Sequence, residues 1–103
     1  MVTQLAISNV IAVAVGTTAA FVNAISPTRS ALTFHNPGPS AVYVFPEFVL
    51  VNGVSVPLTP SLSALGGGFL LPSGATLFME GRAAKQRWQA LAPVANPLTI
   101  TED

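Results

Sequence analysis

Charge is what this 103-residue chain has least of: Arg29, Arg82, Lys85 and Arg87 stand against Glu47, Glu80, Glu102 and Asp103. An ordinary soluble domain carries about 25% charged residues, and here they make up 8%. A formal net charge of zero also removes the collective repulsion that keeps small proteins dispersed. Such a chain is expected to lie against other protein surfaces or in a membrane rather than alone in water. No basic excess exists to follow a phosphate backbone, so nucleic acid is not an expected partner. Cysteine is absent, which excludes disulfides, thiolate metal sites and cysteine nucleophiles.

A long apolar run is missing too. Residues 1–28 carry no charge, yet the best stretch, Leu5 to Val15, contains Ser8 and Asn9 and is broken by Gly16-Thr17-Thr18. A spanning helix needs about 20 apolar residues, and a signal peptide needs a basic leader. Val10 to Val15 is moreover β-prone. Neither kind of segment is expected, and no membrane partner with it.

What the chain does have is apolar bulk cut into short pieces. Half of it is hydrophobic, and nine prolines leave no room for a long helix beyond the first 26 residues. Ile11-Ala12-Val13-Ala14-Val15 alternates large and small with period two, a strand apolar on both faces. A second short strand is expected over Ala20 to Ile25. Ala31 to Asn36 and Ala41 to Phe45 flank Asn36-Pro37-Gly38-Pro39-Ser40, and the pattern predicts a hairpin. Phe48 to Val51 and Val54 to Leu58 flank Asn52-Gly53, the pair favoured where both turn positions need φ > 0. Residues 59–68 read as a loop with one helical turn at Ser61 to Leu65. Phe69 to Leu71, Ala75 to Met79, Gln86 to Leu91 and Leu98 to Thr101 complete the strands. Their number and spacing predict an all-β fold: a single antiparallel β-sandwich or jelly-roll-like small barrel over 29–103. Residues 1–28 are expected to be an N-terminal arm with edge strands.

Catalytic chemistry finds little to stand on. His35 is the sole histidine, and no acid lies between residues 27 and 43 to complete a triad with it. Glu47 and Glu80 have the residue types of a glycosidase pair, but sugar-stacking aromatics and further polar residues are scarce. Gly66-Gly67-Gly68 lacks the following Lys-Ser/Thr of a phosphate loop. Glu80 to Arg87 gathers three of the four basic residues and reads as a solvated connection, with protein docking as its functional use. Trp88 beside it is expected in the core. No catalytic residue, cofactor or metal is assigned.

Three segments carry a resemblance. Arg29 to Gly38 followed by Val42-Tyr43-Val44 resembles an "R-x-x-L-x-x-x-N" strand leading through a turn to "V-Y-V" in small β-sandwich virion proteins of tailed bacteriophages. Gly68 to Ala75 is similar to their "G-x-x-L-x-P-G-x" turn, with Ser73 inserted before the glycine, and Trp88 to Ala92 to their "W-x-A-x-A" strand. The resemblance covers Arg29 to Ala92. It implies a non-enzymatic virion subunit of capsid decoration, cement or fibre-base type, assembled in the host cytoplasm. Its partners would be the major capsid or another virion protein and further copies of itself, with a trimer expected.

Contact residues are sought in the uncharged start (Val2, Leu5, Ile11, Val13), the phenylalanines (Phe45, Phe48, Phe69) and the basic cluster (Arg82, Lys85, Arg87). The uncharged start is expected to add a strand to a neighbour's sheet edge. The alternative is a receptor- or glycan-recognition module of a tail or fibre using Tyr43, Trp88 and Asn52. A third, a membrane-associated protein anchored by residues 1–28, would need the spanning segment the sequence lacks.

Overall fold

The computed structural model describes residues 9–62 and 68–103. Its strands are β1 (Asn9–Val15), β2 (Ala20–Phe21), β3 (Ala31–His35), β4 (Val42–Pro46), β5 (Phe48–Val51), β6 (Val54–Pro57), β7 (Phe69–Leu71), β8 (Thr76–Glu80), β9 (Trp88–Leu91) and β10 (Asn96–Glu102). A single helical turn, α1 (Arg82–Lys85), precedes β9. One four-stranded sheet runs β1-β10-β3-β8 and a second runs β2-β9-β4-β7, while β5 and β6 form a separate hairpin.

The pairing has a simple rule. With the hairpin set aside, β1 joins β10, β2 joins β9, β3 joins β8 and β4 joins β7, all antiparallel. This is one long hairpin rolled up, closed by the β10–β3 and β9–β4 pairs. The result is an eight-stranded jelly roll, the architecture that two interlocked Greek keys produce. The all-β reading therefore holds, in its jelly-roll form.

Alternation explains which side each residue faces. Leu32, Phe34, Leu98, Ile100 and Val15 of the first sheet meet Val42, Val44, Leu71, Trp88 and Ala90 of the second, all buried. Trp88 stands edge-on to Phe34 at 5.4 Å between ring centroids, and its Nε1 donates to the Ala83 carbonyl at 2.8 Å. The indole thus fills the core with its polar edge satisfied.

The strands at 31–35 and 42–46 form as expected, but not as a hairpin. They lie in opposite sheets. Side by side, their apolar rows would share one sheet face, whereas placing them in facing sheets lets each cover the other. Asn36 makes the corner. Its Nδ2 donates to Ser40 O (2.7 Å) and Leu71 O (2.8 Å), and its Oδ1 accepts from Gly38 N (3.0 Å) and Asn96 Nδ2 (2.7 Å). The second corner, Pro72-Ser73-Gly74, is tied to it by Gly74 N donating to Asn36 O and Ser73 Oγ to Gly38 O. Gly38 has to lack a side chain, because a Cβ there would lie 2.3 Å from Asn96 Oδ1.

The edge strands expected within residues 1–28 are present as β1 and β2, while residues 1–8 lie outside the described residues. β1 pairs with β10 of its own chain from Asn9 opposite Glu102 to Val15 opposite Asn96, and β2 pairs with β9. Both are edge strands of the jelly roll itself. The second strand is also shorter than expected, ending at Phe21. The helical turn anticipated at 61–65 lies largely outside the described residues.

Arg29 holds the bottom of the roll together. It is buried, its Nε donates to the Ala84 carbonyl, its Nη2 to Gln86 O (3.0 Å), and its Nη1 pairs with Glu102 (2.5 Å). A guanidinium removed from water in this way needs both its ion pair and its carbonyl partners.

Candidate functional site

The β5–β6 hairpin has apolar residues on both faces and, among the described residues, no second sheet to cover them. Its register sets Val49 opposite Val56 and Val51 opposite Val54, with Asn52 (φ 52°) and Gly53 (φ 79°) at the tip. Both turn residues are left-handed, as the Asn-Gly pair predicts for this turn. Leu50 is 65% exposed and Val54 62%, and Phe48, Val51 and Val56 are exposed as well. Two strands alone are marginal in water, so the hairpin depends on its root.

That root is clamped from several sides. Glu47 N donates to Arg87 O and Leu58 N to Glu47 O, both at 3.0 Å. Gln86 Oε1 accepts from Phe48 N (3.1 Å), and Gln89 Nε2 donates to Leu58 O (3.1 Å). Arg87 Nη2 reaches Glu47 Oε2 at 2.6 Å and its guanidinium carbon lies 3.9 Å from the centre of the Phe21 ring. The hydrogen bond from Arg87 holds the Glu47 carboxyl below its ordinary value, against a smaller desolvation effect and with help from the guanidinium charge. The same hydrogen bond raises the Arg87 value.

Between this root, α1 and the 25–27 segment lie two adjoining hollows of about 270 and 560 Å³, which share Phe48, Arg82 and Gln86. The smaller adds Ile25, Pro27, Glu47 and Lys85; the larger adds Val49, Leu50, Ser55 and Ala83. The walls are mostly apolar and the rim is basic. Glu47 is paired with Arg87, and Arg82 and Lys85 place two further cations on the rim. Lys85 is also anchored, its Nζ donating to Arg29 O at 2.8 Å. An apolar groove edged with cations suits the surface of another protein, with charge fixing the register.

The expected contact residues divide sharply. Phe48, Arg82 and Lys85 come together in the groove, and Arg87 joins them through Glu47. Phe69 is exposed on β7, its ring tilted towards Trp88 at 6.1 Å. Phe45 is no contact residue: it is fully buried, because Gly68 packs so closely that a Cβ there would lie 2.3 Å from its ring. Ile11 and Val13 pack against the chain's own core. Val2 and Leu5 lie outside the described residues. Trp88 is buried and offers no platform for a sugar ring, while Asn52 is exposed at the hairpin tip.

Leu50, Val51, Val54, Val56, Ile25 and Gln86 were not singled out by sequence. The available signal was the Asn-Gly hairpin itself, which lacks the polar alternation of a half-buried strand pair. The Nδ1 of His35 lies 2.9 Å from a hydroxyl, Thr76 Oγ1. Among the described residues no group of three or more His, Asp or Glu side chains is placed to hold a metal ion, and no helix is long and apolar enough to cross a membrane. Comparison with protein families, curated proteins and solved structures finds no match.

Proposed function

We propose that this chain is a non-enzymatic structural subunit of a phage particle, a capsid decoration or cement protein that stabilises the head through protein–protein contacts. The observation that carries the reading is the solvent-facing apolar hairpin standing on a rigid jelly-roll body. Covering Leu50, Val51, Val54 and Phe48 against a capsid surface removes apolar area from water at about 25 cal/mol per Å². Arg82 and Lys85 then set orientation against an acidic patch on the capsid protein. The jelly roll recurs in viral capsid domains and in lectins alike, so architecture alone does not choose between particle and glycan. The burial of Trp88 and the apolar character of the exposed hairpin favour the particle.

The experiment is add-back of purified chain to particles assembled without it, scored by co-sedimentation. Wild-type chain is expected to bind with saturation. The double substitution Leu50→Ser and Val54→Ser is expected to abolish binding while leaving unfolding stability within about 0.5 kcal/mol, as for surface positions generally. Full occupancy by the double variant, or absence of the wild-type chain from purified particles, overturns the proposal.

A further inference from the structure

The two sheets of the jelly roll have four outer strands, and three of them are poor templates for further pairing. β2 is two residues long, β7 is three, and β8 is five and ends at Glu80. Short length and charge are the usual ways of blunting an edge. β1 has neither protection. It runs seven residues, Asn9–Val15, with no charge, no proline and an unbroken register against β10. On its other side, alternate backbone N–H and C=O groups have no strand partner among the described residues.

The side chains of β1 show the same incompleteness. Ile11 and Val13 pack towards the core yet remain only partly buried, and the corresponding edge of the second sheet is the two-residue β2. Val10, Ala12 and Ala14 face outward and are exposed. Both rows continue only if another strand lies alongside.

We propose that β1 is the seam of a twofold dimer, in which the β1 strands of two copies pair antiparallel and merge their first sheets into one of eight strands. A second copy is the occupant because the strand is complementary to itself. Centred on Ala12, the pairing sets Ala12 opposite Ala12, Ile11 opposite Val13 and Val10 opposite Ala14. Outward residues then meet outward residues and inward meet inward, which a one-residue slip would destroy. With no charge anywhere in β1, the twofold brings no like charges together. The seam is about 24 Å long at the usual rise per residue, an interface of the small class, so the dimer is expected to dissociate on dilution. This seam uses residues other than the hairpin's, and the Leu50→Ser, Val54→Ser variant is expected to dimerise like wild type.

The test is sedimentation equilibrium of the full chain with Ala12→Glu and Ala12→Lys, substitutions at an exposed position facing each other across the axis. Wild type is expected to be a dimer at high micromolar loading. Either variant alone is expected to weaken the dimer about tenfold or more, a change of about 1.4 kcal/mol, and an equimolar mixture to recover it as a heterodimer. Hydrogen exchange of the Val10 to Ala14 amides in wild-type chain gives a second readout that needs no variant, with protection rising with concentration. A wild-type monomer or trimer, a dimer indifferent to both charges, a mixture that fails to recombine, or exchange independent of concentration overturns the proposal.

Discussion

Phe45 and Phe48 sit three residues apart and have opposite fates. Phe45 is completely buried, and Phe48 is 42% exposed. The first belongs to β4, a central strand of a sheet with the core on one side and Gly68 packed against its ring on the other. The second opens a hairpin that pairs with neither sheet of the sandwich and, among the described residues, has no second sheet against it. Hydrophobic residues are as dense in the hairpin as in the sandwich strands. What differs is whether a second surface arrives to exclude water, and that decides where stability resides and where binding is available.

The comparison is broken most forcefully from the sandwich side. Phe34→Ala removes a fully buried ring that supports Trp88, and is expected to cost about 3–5 kcal/mol in urea unfolding. For a domain of this size that approaches the whole of its stability. A loss below about 1 kcal/mol, no more than surface changes in the hairpin, would erase the distinction between the two regions.

A smaller effect is expected at the corners. Asn96→Ala leaves Ser40 N without its 3.0 Å acceptor and takes one of two donors from the buried Asn36 Oδ1. The expected cost is about 1–3 kcal/mol, again by urea unfolding. Since the corners hold the strands in opposite sheets, the variant is also expected to show faster amide exchange at Gly38 and Gly74 than in the hairpin root.

The smallest effect concerns the joint between the regions. Arg87 depresses the Glu47 carboxyl in the folded chain below its ordinary 4.5. The pair therefore contributes stability above that value, and the contribution fades as pH falls through 4.5 towards the folded-state value. Being at the surface, the pair is worth little. Glu47→Gln is expected to flatten slightly the acid side of the melting temperature against pH, with the neutral side almost unchanged. An acid limb identical to wild type would mean that the root is held by its backbone hydrogen bonds and by Gln86 and Gln89, without help from the ion pair.

Local chemistry made much of this legible. The Asn52-Gly53 turn, the strand at 11–15 and the burial of Trp88 follow from φ requirements, period-two alternation and the size of an indole. The hairpin expected across Asn36 to Ser40 failed because the turn residues fit a corner as well as a reversal. Asn36 serves the corner through Leu71 and Asn96, which lie 35 and 60 positions further along the chain. The candidate surface was half visible. Phe48, Arg82 and Lys85 stood out by residue type, while Leu50 and Val54 looked like any strand residues until the hairpin was seen to stand uncovered. The burial of Arg29 is not legible locally, since it depends on Glu102 arriving from the other end of the chain.

Sequence by itself determined that this protein is a set of short strands, that it has neither thiols nor a surplus of charge, and where most turns fall. These are consequences of backbone sterics and composition, which act over a few residues. Tertiary structure alone decided that the strands roll into facing sheets, that one phenylalanine is core and its near neighbour surface, and that β1 stands at the edge of its sheet among the described residues. Each of those depends on which distant segment lands alongside, and the free energy of that landing belongs to the two surfaces jointly.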